Sequence, residues 1–176
     1  MRVPRLETER LIVRELRPGD EIADVLGERR DDWLRWTVNG YARYAELMQP
    51  PYGERGVELR DTGRLVGLVG LVPSLGPFGL LPSLAGGPGD PHRFRPEVGL
   101  FWETAPEQRG RGFATEAARA LIGHALSALE LQRLVATTEH DNLASIAVMR
   151  KLGMRIETNP EGEPEWFQTV GILEAG

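Results

Sequence analysis

No cysteine occurs among the 176 residues, which excludes a disulfide framework, a thiol nucleophile and an acyl-enzyme carried on sulfur. Lysine is almost as scarce: Lys151 stands alone, and arginine supplies every other basic side chain. A Gly-x-x-x-x-Gly-Lys-Ser/Thr phosphate loop therefore cannot be written. Schiff-base chemistry would be left with Lys151, which falls near an expected helix end. The histidines His92, His124 and His140 have no ligand spacing, so no metal site is expected. The absence of a Gly-x-Ser-x-Gly elbow argues against an ordinary serine hydrolase. No apolar run is long enough for a bilayer, and the start of the chain lacks the apolar core of a signal peptide. A soluble, cytoplasmic protein with no membrane partner is expected.

Hydrophobic residues make up 41% and charged residues 27% of the chain, the balance of an ordinary globular protein. The length suits one domain over residues 1–176. A net charge of −5 disfavours nonspecific nucleic-acid binding and is compatible with a cationic substrate such as an amine, although surface solubility explains it equally well.

Along the chain, Arg10 to Leu16 reads as a strand closed by Pro18-Gly19-Asp20, with Asp20 placed to cap a following helix. Asp31 to Tyr52 is aromatic-rich and partly helical until Pro50-Pro51 breaks it. Gly56–Leu59 and Leu65–Val72 flank Asp61-Thr62-Gly63 as a hairpin, and the second strand, apolar on both faces, should be central. Residues 73–96 are dense in Gly and Pro and are expected as an exposed, flexible loop, with Phe78, Leu80, Leu81 and Leu84 giving it something to bury. Glu97 to Trp102 returns to strand. Apolar residues at helical spacing from Phe113 to Leu129 predict an amphipathic helix. Arg133–Thr138 reads as a strand, Asn142–Leu152 as a short helix ended by Gly153, and Trp166–Leu173 as a last strand. The β-α-β order of the second half implies two parallel strands with a crossover helix.

The sharpest local feature is Gln108-Arg109-Gly110-Arg111-Gly112-Phe113-Ala114-Thr115-Glu116, set between a strand and a helix. Two glycines free the backbone amides, and a helix start adds unsatisfied N–H groups and a positive dipole end. Such a place suits a phosphate or pyrophosphate, with Arg109 and Arg111 adding charge. A tight turn whose glycines serve geometry alone is the competing reading. It is not a dinucleotide fingerprint, since Thr115 occupies the third small position.

Arg109-x-x-Gly112-x-Ala114 resembles the (Gln/Arg)-x-x-Gly-x-(Gly/Ala) pattern of the GNAT acyltransferase superfamily. The likeness extends to Leu6-Glu7-Thr8-Glu9-Arg10-Leu11, to Gly67 with Gly70, and to Glu97-Val98-Gly99-Leu100. It continues through Gly112-Phe113-Ala114-Thr115-Glu116-Ala117 and Asn142-x-x-Ser145-x-x-Val148-Met149-x-Lys151-Leu152-Gly153-Met154. These stretches look like the branch that includes ribosomal-protein N-terminal acetyltransferases, and they cover most of the chain, with residues 73–96 the weakest part.

The resemblance implies an α/β GNAT-like fold: a mixed, mostly antiparallel sheet flanked by helices, with splayed parallel strands forming a CoA cleft. It implies acetyl-CoA as cosubstrate, with Arg109, Gly110, Arg111, Gly112, Phe113 and Ala114 around the pyrophosphate. The strand edge at Phe101, Trp102 and Glu103 would take the pantetheine arm, and an amide near Trp102 would support the oxyanion. Asn142 would contact the cofactor arm as well as cap its helix. Ser145, one turn on and on the same helix face, is the candidate to protonate the departing thiolate, directly or through water; otherwise water alone serves or the thiolate leaves unassisted. Met149 stands where many members carry a tyrosine acid, and it cannot donate a proton. Glu97 is the first candidate base for the acceptor amine, with Glu103 and Glu139 as alternatives. The expected reaction is direct acetyl transfer to a primary amine, on a protein N-terminus or a small molecule. A noncatalytic acyl-CoA-binding module on the same fold, a different phosphate-ligand domain and a homodimer all stay open.

Overall fold

The computed structural model describes residues 3–87 and 93–176. His92, and with it residues 88–92 of the Gly/Pro-rich stretch, lies outside the described residues. The strands are β1 (Leu6–Glu7), β2 (Leu11–Glu15), β3 (Gly53–Leu59), β4 (Leu65–Gly76), β5 (Arg95–Thr104), β6 (Arg133–Thr138), β7 (Arg155–Thr158) and β8 (Thr169–Glu174). The helices are α1 (Ala23–Leu26), α2 (Asp31–Glu46), α3 (Phe113–Ser127) and α4 (Leu143–Lys151), with single 3-10 turns at Phe78–Leu80, Pro106–Gln108 and Glu165–Phe167. The strands form one sheet in the order β1-β2-β3-β4-β5-β6-β8-β7. Strands β5 and β6 run parallel, with Gly99 level with Val135. The pairs β1–β2, β2–β3, β3–β4, β6–β8 and β7–β8 are antiparallel. The mixed, mostly antiparallel sheet flanked by helices is the architecture expected from the sequence. Among the described residues no helix is long and apolar enough to cross a membrane.

The chain divides into two compact units, Met1–Val72 with Leu100–Glu130, and Pro73–Gly99 with Leu131–Gly176. In the first, the apolar stripe of α2 packs Leu34 and Tyr41 onto Leu16, Leu65 and Leu68 of the sheet, together with Ile22, Val25 and Ala105. Phe101 is packed against the same cluster. Asp20 does not cap α1, whose N-terminus has no side-chain cap. Its carboxylate instead accepts two hydrogen bonds from the buried Arg14 guanidinium, both at 2.9 Å, and one from the Arg17 amide. A charge-assisted pair out of water outweighs a solvent-exposed cap.

In the second unit, much of the segment expected as an exposed loop is core. Strand β4 runs on to Gly76, and Phe78, Leu81 and Leu84 bury against Val135, Phe167, Val170 and Ile172. The rings of Phe78 and Phe167 meet edge to face with centroids 5.0 Å apart. The Gly/Pro content blocks regular structure, but three large apolar side chains in one short stretch gain more from burial than from exposure. Trp166 belongs to a 3-10 turn, so the last strand begins only at Thr169.

Phe78→Ala should cost about 3–5 kcal/mol through loss of packing and a residual cavity. Leu75→Ala, at a side chain 69% exposed on the same segment, should shift stability by less than about 0.5 kcal/mol. Urea titrations of both variants check the contrast; equal effects would mean the segment is not core.

Candidate active site

The loop before α3 is built by glycine geometry. Gly110 and Gly112 sit at φ of +76° and +81°, the left-handed region that a Cβ disfavours. Gly112 is the N-cap of α3 and has no side chain with which to satisfy the first turn. The first intrahelical bond joins the Glu116 amide to the Gly112 carbonyl at 3.0 Å. The amides of Phe113, Ala114 and Thr115 precede it, pointing out of the helix at the positive end of its dipole. A helix start of this kind has the donors that an anion would need, all supplied by main chain.

The arginines of the loop are already engaged. Arg109 turns back to the end of β5, donating to the Thr104 carbonyl at 3.1 Å and pairing with Glu103 at 3.0 Å. Arg111 donates to the Gln108 side chain at 2.6 Å and lies over the Phe113 ring.

Three residues that the sequence reading gave no role hold the loop in place. Glu116 accepts from the Thr8 hydroxyl at 2.6 Å, from the Arg10 amide at 3.0 Å and from Arg10 Nε at 2.7 Å. Arg10 also donates to the Arg111 carbonyl at 3.1 Å and stacks on Phe113. The β1–β2 turn is thereby riveted to the first turn of α3. Burial by itself would raise the Glu116 pKa, but the bonds from Thr8 and Arg10 outweigh it and hold the carboxyl below its ordinary value.

The three carboxylates expected as bases occupy different settings. Glu97 is ion-paired in bidentate fashion with Arg133, at 2.9 and 2.6 Å, and its side chain is 6% exposed. Both oxygens are committed to the guanidinium, a geometry that does not favour Glu97 as the base expected from the sequence. Here the pair links β5 to β6 within the second unit. Glu103 is tied to Arg109. Glu139 is partly exposed; its own amide and the Thr138 hydroxyl lower its pKa, which weakens it as a base. Trp102 is partly buried, as is Phe101.

On α4, the Asn142 side chain accepts from the Ser145 amide at 3.1 Å and caps the helix, as its position suggested. Gly153 follows the helix at φ +83°. Met149 is fully buried. A Cβ on Gly171 of β8 would lie 3.0 Å from its sulfur, so glycine at that position makes room for the thioether. Position 149 is a packing position in this chain.

A cavity of about 630 Å³ opens between the segment Pro18–Asp24 and the first half of α2, with Leu34 and Val38 as its apolar wall and Asp20, Glu21, Asp24 and Asp31 among its polar groups. Arg64 reaches from Asp24, at 3.7 Å, to Glu107, at 2.6 Å, tying that rim to the turn before the glycine loop. Among the described residues no group of three or more carboxylate or imidazole side chains could hold a metal ion.

Comparison with known proteins points to one family and one fold. The family model described as acetyltransferase (GNAT) domain matches residues 10–155. An uncharacterized N-acetyltransferase of Bacillus subtilis, YoaA, is 31% identical over 166 residues, covering 88% of this chain and 84% of its own length. A putative ribosomal-protein-serine acetyltransferase from Vibrio cholerae shares the fold with a TM-score of 0.67 at 21% identity, over 98% of each chain. RimJ of Mycobacterium smegmatis, in complex with CoA-disulfide, does so with a TM-score of 0.61 at 18% identity, over 94% of this chain and 82% of its own.

Two outcomes test the arrangement. Because the folded-state pKa of Glu116 lies below the unfolded value, its bonds contribute stability in full above the ordinary carboxylate pKa. That contribution is lost as pH falls through the depressed value. Glu116→Gln should therefore lower the melting temperature at pH 7 and make its decline below about pH 4.5 shallower than in the parent; superimposable melting curves would deny the clamp. Glu97→Gln should lower stability by about 1–3 kcal/mol, through the broken pair with Arg133. If it acts structurally, high pH should not rescue any loss of turnover, and a selective rescue would return Glu97 to the chemistry.

Proposed function

The chain belongs to the GNAT acetyltransferase family, and from that we propose that it transfers the acetyl group of acetyl-CoA directly to a primary amine. The observation that carries this reading is the row of free amides at Phe113–Thr115, opened by left-handed Gly110 and Gly112. A pyrophosphate there would take two or three charge-assisted hydrogen bonds from main chain alone. The backbone at Phe101–Glu103 would carry the pantetheine arm, and an amide near Trp102 would face the developing oxyanion. Asn142 keeps its cofactor contact in this reading through atoms not used in capping. Ser145 would give a proton to the departing thiolate.

The bonding changes are simple. The amine nitrogen attacks the thioester carbonyl, a C–N bond forms and the C–S bond breaks. One proton from the acceptor ammonium goes to a base, and the second N–H proton ends on the thiol. With no cysteine in the chain, attack without an acyl-enzyme is the economical route.

Gly112→Val should weaken CoA binding more than 100-fold, because a β-branched side chain crowds the phosphate and restricts the turn. Arg109→Ala should cost only about 1 kcal/mol and matter less at high salt, since its guanidinium is largely exposed and already paired. Calorimetric titration with CoA and with dephospho-CoA reads both, with melting temperature as the check on folding. If folded Gly112→Val binds CoA like the parent, the phosphate-loop assignment falls. Release of thiol from acetyl-CoA in the presence of amines separates an enzyme from a module that only binds.

A further inference from the structure

Glu54, which no sequence motif marks, is a half-buried carboxylate on the sheet face that packs against α2. Its strand β3 alternates, so Glu54 shares a face with Gly56, whose hydrogen-only side chain lies against Leu16 and Leu65 of the α2-facing cluster. At Glu54 the ladder between β2 and β3 ends. Its last registered pair is Glu15 with Arg55, and beyond it the Tyr41 hydroxyl enters between the strands. That hydroxyl accepts from the Leu16 amide at 3.2 Å and donates to the Glu54 carbonyl. Tyr41 therefore holds the two strands apart and fixes the main chain at Glu54 through its carbonyl, not through the carboxylate.

Across the sheet, Glu54 is level with Gly70 of β4. A Cβ on Gly70 would lie 2.8 Å from Glu54 Cα, so only glycine fits. The Ala105 amide donates to the Val66 carbonyl at 3.0 Å. An antiparallel ladder carried on from that pair brings Gly70 level with Phe101. Phe101 packs against the same cluster as Tyr41 and Leu16, which places it on the Glu54 face by an independent observation. No side chain of β4 then stands between Glu54 and Phe101. On α2, Leu34, Val38 and Tyr41 follow one another along one helix face, leading from the wall of the 630 Å³ cavity to the strand end at Glu54.

We propose that Glu54 is the catalytic base that takes the proton of the acceptor ammonium, directly or through one water, as the amine is delivered to the thioester beside Phe101. This rests on the acetyl-transfer reading and offers a base in place of Glu97, Glu103 and Glu139. Among the described residues Glu54 makes no ion pair. Arg55 leaves on the opposite face of the strand, where Nη1 donates to the Gly53 carbonyl at 2.9 Å and the guanidinium faces Tyr41. Burial raises the Glu54 pKa above its ordinary value, with its own backbone and Arg55 opposing the rise. Such a carboxylate is a stronger proton acceptor than a solvated one. The charged and titratable groups around it are Arg55 on its own strand, Glu15 on β2 and Tyr41 on α2, whose phenol burial pushes up to about 12 and so keeps neutral.

The test uses the whole chain, acetyl-CoA and four amines: spermidine, kanamycin, free lysine and an unblocked alanyl peptide. Thiol release is read with a thiol-reactive dye, and the protein adds no background because it has no cysteine. Glu54→Gln should bind CoA as the parent does and melt within a few degrees of it, yet turn over at least about 100-fold more slowly at pH 7. Its rate should climb with pH as free amine accumulates and approach the parent near the amine pKa. Glu54→Asp should fall between the two. Parent-like turnover and pH dependence in Glu54→Gln overturns the proposal and leaves the acetyl-transfer reading standing. A parent that binds CoA but releases no thiol with any of these amines overturns that reading, and the base role with it.

Discussion

The contact on which the glycine loop before α3 depends is the convergence of Thr8 and Arg10 on Glu116. A glycine loop at a helix start is soft, because left-handed residues have many unfolded alternatives and the amides have no partners without a ligand. Here the loop is fixed from behind. The carboxylate in the first turn of α3 both favours the helix dipole and anchors the β1–β2 turn. The same arginine then caps the Arg111 carbonyl and covers Phe113. The bond network does not occupy the amides, so a pyrophosphate bound as proposed would have little ordering left to do.

The near-absence of lysine has a structural counterpart in how the first unit keeps charges out of water. Arg14 is buried and spends its fork on two carboxylates, Asp20 and Glu58, with a further bond to the Glu15 carbonyl. An ammonium could not reach three acceptors in one plane. Arg55 is buried too, and its Nε is left without a partner. That guanidinium is sustained by one carbonyl, the Tyr41 ring and the nearby Glu15 and Glu54 charges. Arginine tolerates such a setting because its charge is delocalised and weakly hydrated. The negative potential at the end of β3 thus has a positive counterweight on the opposite face of the strand.

Most of the fold could be read from pattern. Strand β6 and the start of α3 fall where periodicity put them, and the Asp61–Gly63 turn closes the β3–β4 hairpin with Gly63 left-handed. The short edge strands β1 and β7 were not legible, since two or four residues carry no period. The segment after Val72 misled because composition reports what cannot be regular, not what is buried. In the site, the glycine loop was visible because its function is written in local sequence. Its support was not, because Thr8 and Glu116 are 108 residues apart. Glu97 looked available from its place on a strand, and only the facing Arg133 reveals its commitment. Glu54 was silent for a similar reason: its setting is made by Tyr41 and Gly70, on other elements.

The packing of Met149 against Gly171 bears on how the two proton transfers share the difficulty of the reaction. A thiol of pKa about 8.5 leaves as thiolate at pH 7 at a cost of roughly 2 kcal/mol. Losing a dedicated acid is therefore tolerable, and water or a hydroxyl such as Ser145 suffices. The acceptor side is steeper. An amine of pKa about 10.4 must give up its proton at a cost of roughly 4.6 kcal/mol at the same pH, while an α-amino group near 7.8 costs only about 1 kcal/mol. A chain that has turned the acid position over to packing can still be a competent catalyst. One that lacks a base can serve α-amines but falls behind on side-chain and polyamine nitrogens. The demand for a well-placed, desolvated carboxylate thus grows with acceptor basicity, so under the proposed reaction the environment of the base, more than that of the thiolate, would set which amines are used.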